Sequence, residues 1–186
     1  NIQTMNNYGV SKIVTGCPHC FNTLKNEYPQ MGGNYEVEHH TTFLDNLLKE
    51  NKIQVDQSKA KELGLVTYHD SCYLGRYNDV YSAPRSILEK ATGGKVVEAI
   101  DNKTRGLCCG AGGAQMWKEE EKSTDAAGVR AERVNIKRTQ QLVDTEAKTV
   151  ASACPFCITM LKDGLAEIGS PVIVKDVAEM IEEATS

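Results

Sequence analysis

Five cysteines in the last two-thirds of the chain carry the most chemistry per residue. They are Cys72, the adjacent pair Cys108–Cys109, and Cys154 and Cys157 of a CxxC, with 35 residues between the first and second groups and 44 between the second and third. Thiolates are soft ligands that suit zinc or an iron–sulfur cluster and not magnesium or calcium. Two cysteines spaced CxxC at a helix start can face one metal, and the helix dipole there stabilises them as anions. Gly110, Gly112 and Gly113 follow the pair. They let the backbone approach a bulky inorganic core, and the Gly110 amide is a candidate donor to its sulfurs. A structural zinc site takes four ligands and a cubane cluster usually four cysteines, so five thiols point to an unusual cluster or to one redox-active spare. The plain alternative is that one or two of the five are core cysteines.

The elements that must position these residues are announced by an internal repeat. Shifted by 137 positions, Lys12-Ile-Val-Thr-Gly-Cys-Pro-His-Cys20 falls on Thr149-Val-Ala-Ser-Ala-Cys-Pro-Phe-Cys157, Val37 on Val174, and Phe43-Leu44 on Met180-Ile181. Each copy reads as helix, short apolar strand, CPxC turn, helix, strand, helix. Pro18 and Pro155 each suit a first helical turn, and Gly32-Gly33 and Gly169 serve as stops. Before Cys154 a helix is expected over 130–143 and a buried strand over 149–153. Between the copies, Leu65 to Tyr68 reads as a strand, Ala83 to Ala91 as a helix and Lys95 to Ile100 as another strand. Strands alternating with helices predict an α/β fold of two pseudo-repeated βα units with small parallel sheets. Residues 1–64 are expected to be the C-terminal part of a first repeat truncated at its N-terminus, and 65–186 a complete second one. Ligands of such sheets gather beyond the carboxyl ends of the strands.

Composition narrows the partners. The 186 residues are 40% hydrophobic and 25% charged, a globular balance, with a formal net charge of −4. Scattered basic residues argue against nucleic acid. Apolar runs such as Pro171 to Val174 fall far short of the roughly 20 residues of a membrane helix. An odd count of seven cysteines, with no export signal at Asn1-Ile2-Gln3, argues for metal or redox use in a reducing compartment. That start leads us to expect a piece of a longer polypeptide.

Other groups read more modestly. His19 is expected to be an exposed turn residue inside its CxxC. His39 and His40 follow a strand, where neighbours point to opposite faces, which argues against joint chelation. His69 and Asp70 read equally as partners orienting the Cys72 loop or as a strand-end turn. Met116 and Trp117 are candidate walls of the cysteine site. Arg130, Arg133 and Arg138 are expected on a solvated helix face, the alternative being to balance a cluster's charge.

Four segments, His69-Asp-Ser-Cys-Tyr-Leu-Gly-Arg76, Cys108-Cys-Gly-Ala-Gly-Gly113, Ala153-Cys-Pro-Phe-Cys157 and Gly16-Cys-Pro-His-Cys-Phe-Asn-Thr-Leu-Lys-Asn-Glu-Tyr-Pro29, carry a family resemblance. With them the sequence resembles the cysteine-rich CCG-domain proteins typified by heterodisulfide reductase, and the resemblance spans nearly the whole chain. Among that family it looks most like membrane-bound iron–sulfur oxidoreductases linked to electron-transferring flavoprotein. It implies a non-cubane 4Fe-4S cluster on Cys72, Cys108, Cys109, Cys154 and Cys157, with Cys17 and Cys20 either remnants of a second site or a dithiol. It further implies ferredoxin-like and membrane parts elsewhere in the parent protein, a flavoprotein donor and a quinone or disulfide acceptor. A cytoplasmic location, at the inner face of the membrane, goes with it. One departure is a longer stretch from Cys109 to Cys154 with an acidic insertion near Glu119-Glu-Glu121. The leading expectation is an iron–sulfur electron-transfer domain of an oxidoreductase, with a variant in which the cluster cleaves a disulfide. The alternatives are a zinc docking module on Cys72, Cys154, Cys157 and one of the pair, or a thiol–disulfide oxidoreductase using Cys17/Cys20 or Cys154/Cys157.

Overall fold

Two parallel sheets organise the molecule, a computed structural model that describes residues 1–118 and 132–185. Lys12–Thr15 (β1) pairs with Glu36–His39 (β2) in the smaller sheet. The larger sheet runs in the order β4-β3-β5-β6, all parallel, from Val66–His69 (β3), Val96–Val97 (β4), Thr149–Ser152 (β5) and Ile173–Asp176 (β6). The expected α/β class with small parallel sheets is therefore what the chain adopts. The 137-position shift carries register as well as sequence: Ile13 pairs with Val37, and Val150 with Val174. Every residue of β3 and β5 is buried, as expected of central strands covered on both faces.

Helices connect the strands. Ile2–Asn7 (α1) precedes β1, and Pro18–Asn22 (α2) follows it. His40–Lys49 (α3), Gln57–Glu62 (α4), Cys72–Gly75 (α5) and Ser82–Thr92 (α6) lie between β2 and β4. Val134–Val143 (α7) leads into β5, Pro155–Glu167 (α8) leaves it, and Val177–Thr185 (α9) follows β6. Cys17 and Cys154 are the extended N-cap residues of α2 and α8, each followed by proline at the first helical position, where its fixed φ and missing N–H cost nothing. Gly32 and Gly169 turn the chain after these helical stretches with φ of 83° and 64°, a region open chiefly to glycine.

The principal core draws on both sides of position 64. Phe21, Val37 and Leu48 pack in one cluster with Tyr68, Leu74, Ile87, Val177 and Met180, and α3, α6 and α9 pack on one another. The strand expected over Lys95 to Ile100 is reduced to Val96–Val97, because Glu98 turns aside to meet Arg85 at 2.5 Å. The helix expected over 130–143 begins at Val134. Arg130 and Glu119 to Glu121 lie outside the described residues. Among the described residues no helix is long and apolar enough to cross a bilayer.

Candidate metal centre

Adjacent parallel strands bring the cysteines together. β3 and β5 are paired with His69 opposite Ser152, so their carboxyl ends open at one edge, and Cys72 and Cys154 begin α5 and cap α8 just beyond it. The Cys108–Cys109 loop is pinned at its root. Arg85 makes a bidentate pair with Asp70, both bonds 2.8 Å, and a second pair with Glu98. Asp70 Oδ2 in turn accepts the Lys103 backbone N–H at 2.6 Å. Arg76 Nε donates to the Thr104 carbonyl at 3.3 Å and its Nη2 to the Gly106 carbonyl. Asp70 thus anchors the root of the Cys108–Cys109 loop, not the Cys72 loop that one of the two sequence readings gives it.

Thiol–thiol interactions then run without a break: Cys72 to Cys108, Cys108 to Cys109, Cys109 to Cys157, and Cys157 to Cys154. Cys109, Cys154 and Cys157 are buried with Ala111 and Met160, and Cys108, Met116 and Phe156 pack against them. The Gly110 N–H donates to Cys108 Sγ at 3.3 Å, with Gly110 at φ 85°. So many acidic protons in one place cannot all leave. Hydrogen bonds from Cys109 and then Cys72, with the Gly110 amide, bring Cys108 down to about 2. Hydrogen bonding to that sulfur drives Cys72 up and Cys109 up to about 12, and the Cys109 and Cys154 thiols raise Cys157. Cys154, hydrogen-bonded by Cys157, falls to about 7. A donor set in which some thiols ionise readily while their neighbours hold their protons is one that a soft cation would ionise further, releasing protons as it bound.

Cys17 and Cys20 stand apart from this chain of thiols. Cys17 is half-buried and interacts with Cys20 and with His19 Nδ1, 4.0 Å from its sulfur, and burial raises its pKa. His19 is not the exposed turn residue expected. Its ring packs 4.1 Å from Tyr73 and edge-on to Phe156 at 5.1 Å, close enough to feel Cys108. Its edge-on contact with the second CxxC helix had no signature in the sequence. Met116 does wall the thiols, but Trp117 is 76% exposed.

Three side chains depart from expectation. His39 and His40 do not diverge: His39 ends a strand and His40 opens a helix, so the pleat alternation is broken and their rings lie 4.4 Å apart. His39 faces the backbone of Gly16 and Ala153, the residues before Cys17 and Cys154, and His40 Nε2 pairs with Asp176 at 2.9 Å. Arg138 is fully buried instead of solvated. Its Nε donates to His69 Nδ1 at 3.0 Å, and its Nη1 to the Asp101 carbonyl at 2.7 Å and Gln141 Oε1 at 3.0 Å. The available signal was its place four residues before the buried Leu142, on the same face of α7. His69, also fully buried, has a ring nitrogen within 4.8 Å of the sulfurs of Cys109 and Cys157.

The CCG cysteine-rich domain model matches residues 1–25 and 66–162, two stretches that between them contain all seven cysteines. The chain belongs to the CCG cysteine-rich domain family. The CCG relatives include the EtfAB:quinone oxidoreductase of Syntrophomonas wolfei, 49% identical over 99% of this chain and 25% of its own length. The probable iron-sulfur-binding oxidoreductase FadF of Bacillus subtilis is 42% identical over 99% of this chain and 25% of its own. One polypeptide of the dihydromethanophenazine:CoB–CoM heterodisulfide reductase of Methanosarcina mazei is 36% identical over 99% of this chain and 43% of its own. This CCG chain therefore spans a quarter to under half of these relatives.

Burial also sets the acid response of the CCG fold. Burial, then His40 beside it, lowers His39 to about 3; burial, then Arg138, lowers His69 to about 3. Below the unfolded value near 6.5 the unfolded chain takes up protons that the folded chain refuses, so stability present above that pH is lost as pH falls toward 3. The expected slope is about 1.4 kcal/mol per pH unit for each histidine. Urea unfolding at pH 7 and pH 4.5 should show it, and His39→Gln should flatten the difference. Equal slopes in the two proteins would assign the acid loss to other groups.

Proposed function

We propose that this chain is an iron–sulfur electron-transfer domain of a larger oxidoreductase, with residues 65–186 the cluster-binding repeat and 1–64 the end of a preceding one. The observation that carries the reading is the unbroken series of five thiols from three chain segments, gathered at the carboxyl edge of a parallel sheet. Five soft donors exceed what a tetrahedral zinc takes and fit a multi-iron core. Cys72, Cys108, Cys109, Cys154 and Cys157 would hold a 4Fe-4S cluster of non-cubane type. Bound there, it would supply a one-electron couple. The chain's part is to keep the thiols ionised and in place through Gly110 and the pinned loop. Met160, Met116 and Phe156 keep water from the buried sulfurs, which tunes the potential.

The names of the relatives support a flavoprotein as electron donor and a quinone or a disulfide as acceptor. Ferredoxin-like and membrane parts of the parent protein would hold the domain in the cytoplasm at the inner membrane face. We assign Cys17 and Cys20 to a second site completed by other residues of the parent protein.

Iron, zinc and acid-labile sulfide per chain, with an absorption spectrum, on protein purified without oxygen, test the reading. About four irons and four sulfides are expected. One zinc and no sulfide after anaerobic reconstitution would replace the electron carrier with a docking module.

A further inference from the structure

Arginine is always a donor and always charged. The nitrogen that Arg138 Nε meets, His69 Nδ1 at 3.0 Å, must therefore be the acceptor of the imidazole, and the ring's single proton lies on Nε2. That Nε2 is buried and has no hydrogen-bond partner among the described residues, while the ring offers a nitrogen within 4.8 Å of the sulfurs of Cys109 and Cys157. With Nδ1 taken by Arg138, Nε2 is the nitrogen left for sulfur. A buried N–H without a partner, sulfur included, is costly, and the anionic sulfur of a bound cluster would satisfy it. Ligation of iron through Nε2 would need that lone pair free, which would move the proton to Nδ1 and set it head-on against the N–H of Arg138. Arg138 itself touches only neutral acceptors, the His69 ring, the Asp101 carbonyl and Gln141 Oε1, and its Nη2 has no partner among the described residues. A fully buried guanidinium without a carboxylate in contact needs its counter-charge nearby; burial depresses Arg138, and Asp70, Asp101 and then Cys157 act against that.

We infer that His69 is a neutral hydrogen-bond donor to the sulfurs of the cysteine site, fixed in that tautomer by Arg138, and that the pair raises the potential of the bound cluster without ligating it. The inference rests on the proposed cluster. Reduction adds negative charge at the site, and an N–H donor backed by a buried cation stabilises the reduced form more than the oxidised one. Both are positioning residues: His69 acts through sulfur and Arg138 through His69.

The test is the midpoint potential of the anaerobically reconstituted chain, with iron counted in every sample. His69→Leu is expected to keep its iron and to show about a tenfold lower reduced-to-oxidised ratio at fixed potential, roughly 59 mV for a one-electron couple. Arg138→Met should move the same way. His69→Gln, which keeps an N–H near the position of Nε2, should stay near the native value. An unchanged potential in His69→Leu with iron retained overturns the inference. Should that variant lose its iron, pulsed electron paramagnetic resonance of the native protein labelled with 15N-histidine decides: weak nitrogen coupling supports the hydrogen bond, and the strong coupling of a direct iron–nitrogen bond overturns it. A native chain that takes up no iron removes the proposed cluster itself, an outcome distinct from a cluster of unmoved potential.

Discussion

Cys157→Ser is expected to abolish iron retention, whereas Cys20→Ser leaves it unchanged. Cys157 is 2% exposed and links the end of the thiol series to the rest, touching Cys109 on one side and Cys154 on the other. Serine at that place offers a hard oxygen in place of a soft sulfur, and its proton is far harder to remove. The remaining cysteines then fall into two groups with no bridge between them. Cys20 is exposed on α2 and stands outside that series. A buried hydroxyl left without a partner costs about 1–3 kcal/mol, so Cys157→Ser must be shown to fold by circular dichroism before iron is counted. Folded Cys157→Ser with its full complement of iron would remove this cysteine from the ligand set, and equal losses in Cys20→Ser would mean that the two CxxC turns serve one site.

The parallel sheets and the meeting of the five cysteines were legible because each leaves a local mark. A CPxC turn after a short strand of small and β-branched residues sets a strand end and a helix start, and its recurrence at 137 positions carries register along with it. Groups that act through distant partners leave no such mark. Arg138 reads as one of several arginines on a polar helix until its contact with His69, 69 positions away, is known. The expected divergence of His39 and His40 assumed a strand that continues, and the strand ends between them. Glu98 reads as part of a strand, and its pairing with Arg85 across 13 positions cuts that strand to two residues.

The second large effect lies away from sulfur. Arg85→Ala is expected to lower the unfolding free energy by about 3–5 kcal/mol, the usual result of leaving one partner of a buried ion pair behind. Arg85 is 8% exposed and Asp70 7%. Burial alone would depress the guanidinium, but its hydrogen bonds to Asp70 and Glu98 outweigh that and raise it. The half-exposed Glu98 contributes less, so Glu98→Gln should cost no more than about 1 kcal/mol. Asp70 has a further duty, because its Oδ2 accepts the Lys103 N–H at the root of the Cys108 loop. Replacing both partners, as Arg85→Met with Asp70→Leu, should recover much of the stability, since a matched apolar pair often does as well as a buried ion pair. It should not recover iron retention, because the loop that carries Cys108 and Cys109 has lost the Asp70 carboxylate that holds Lys103 and keeps only its Arg76 contacts. Urea unfolding measures the first quantity and iron per chain the second. A double variant that regains both would show that the Arg85–Asp70 pair serves only to stabilise the core, with no part in holding the ligands in place.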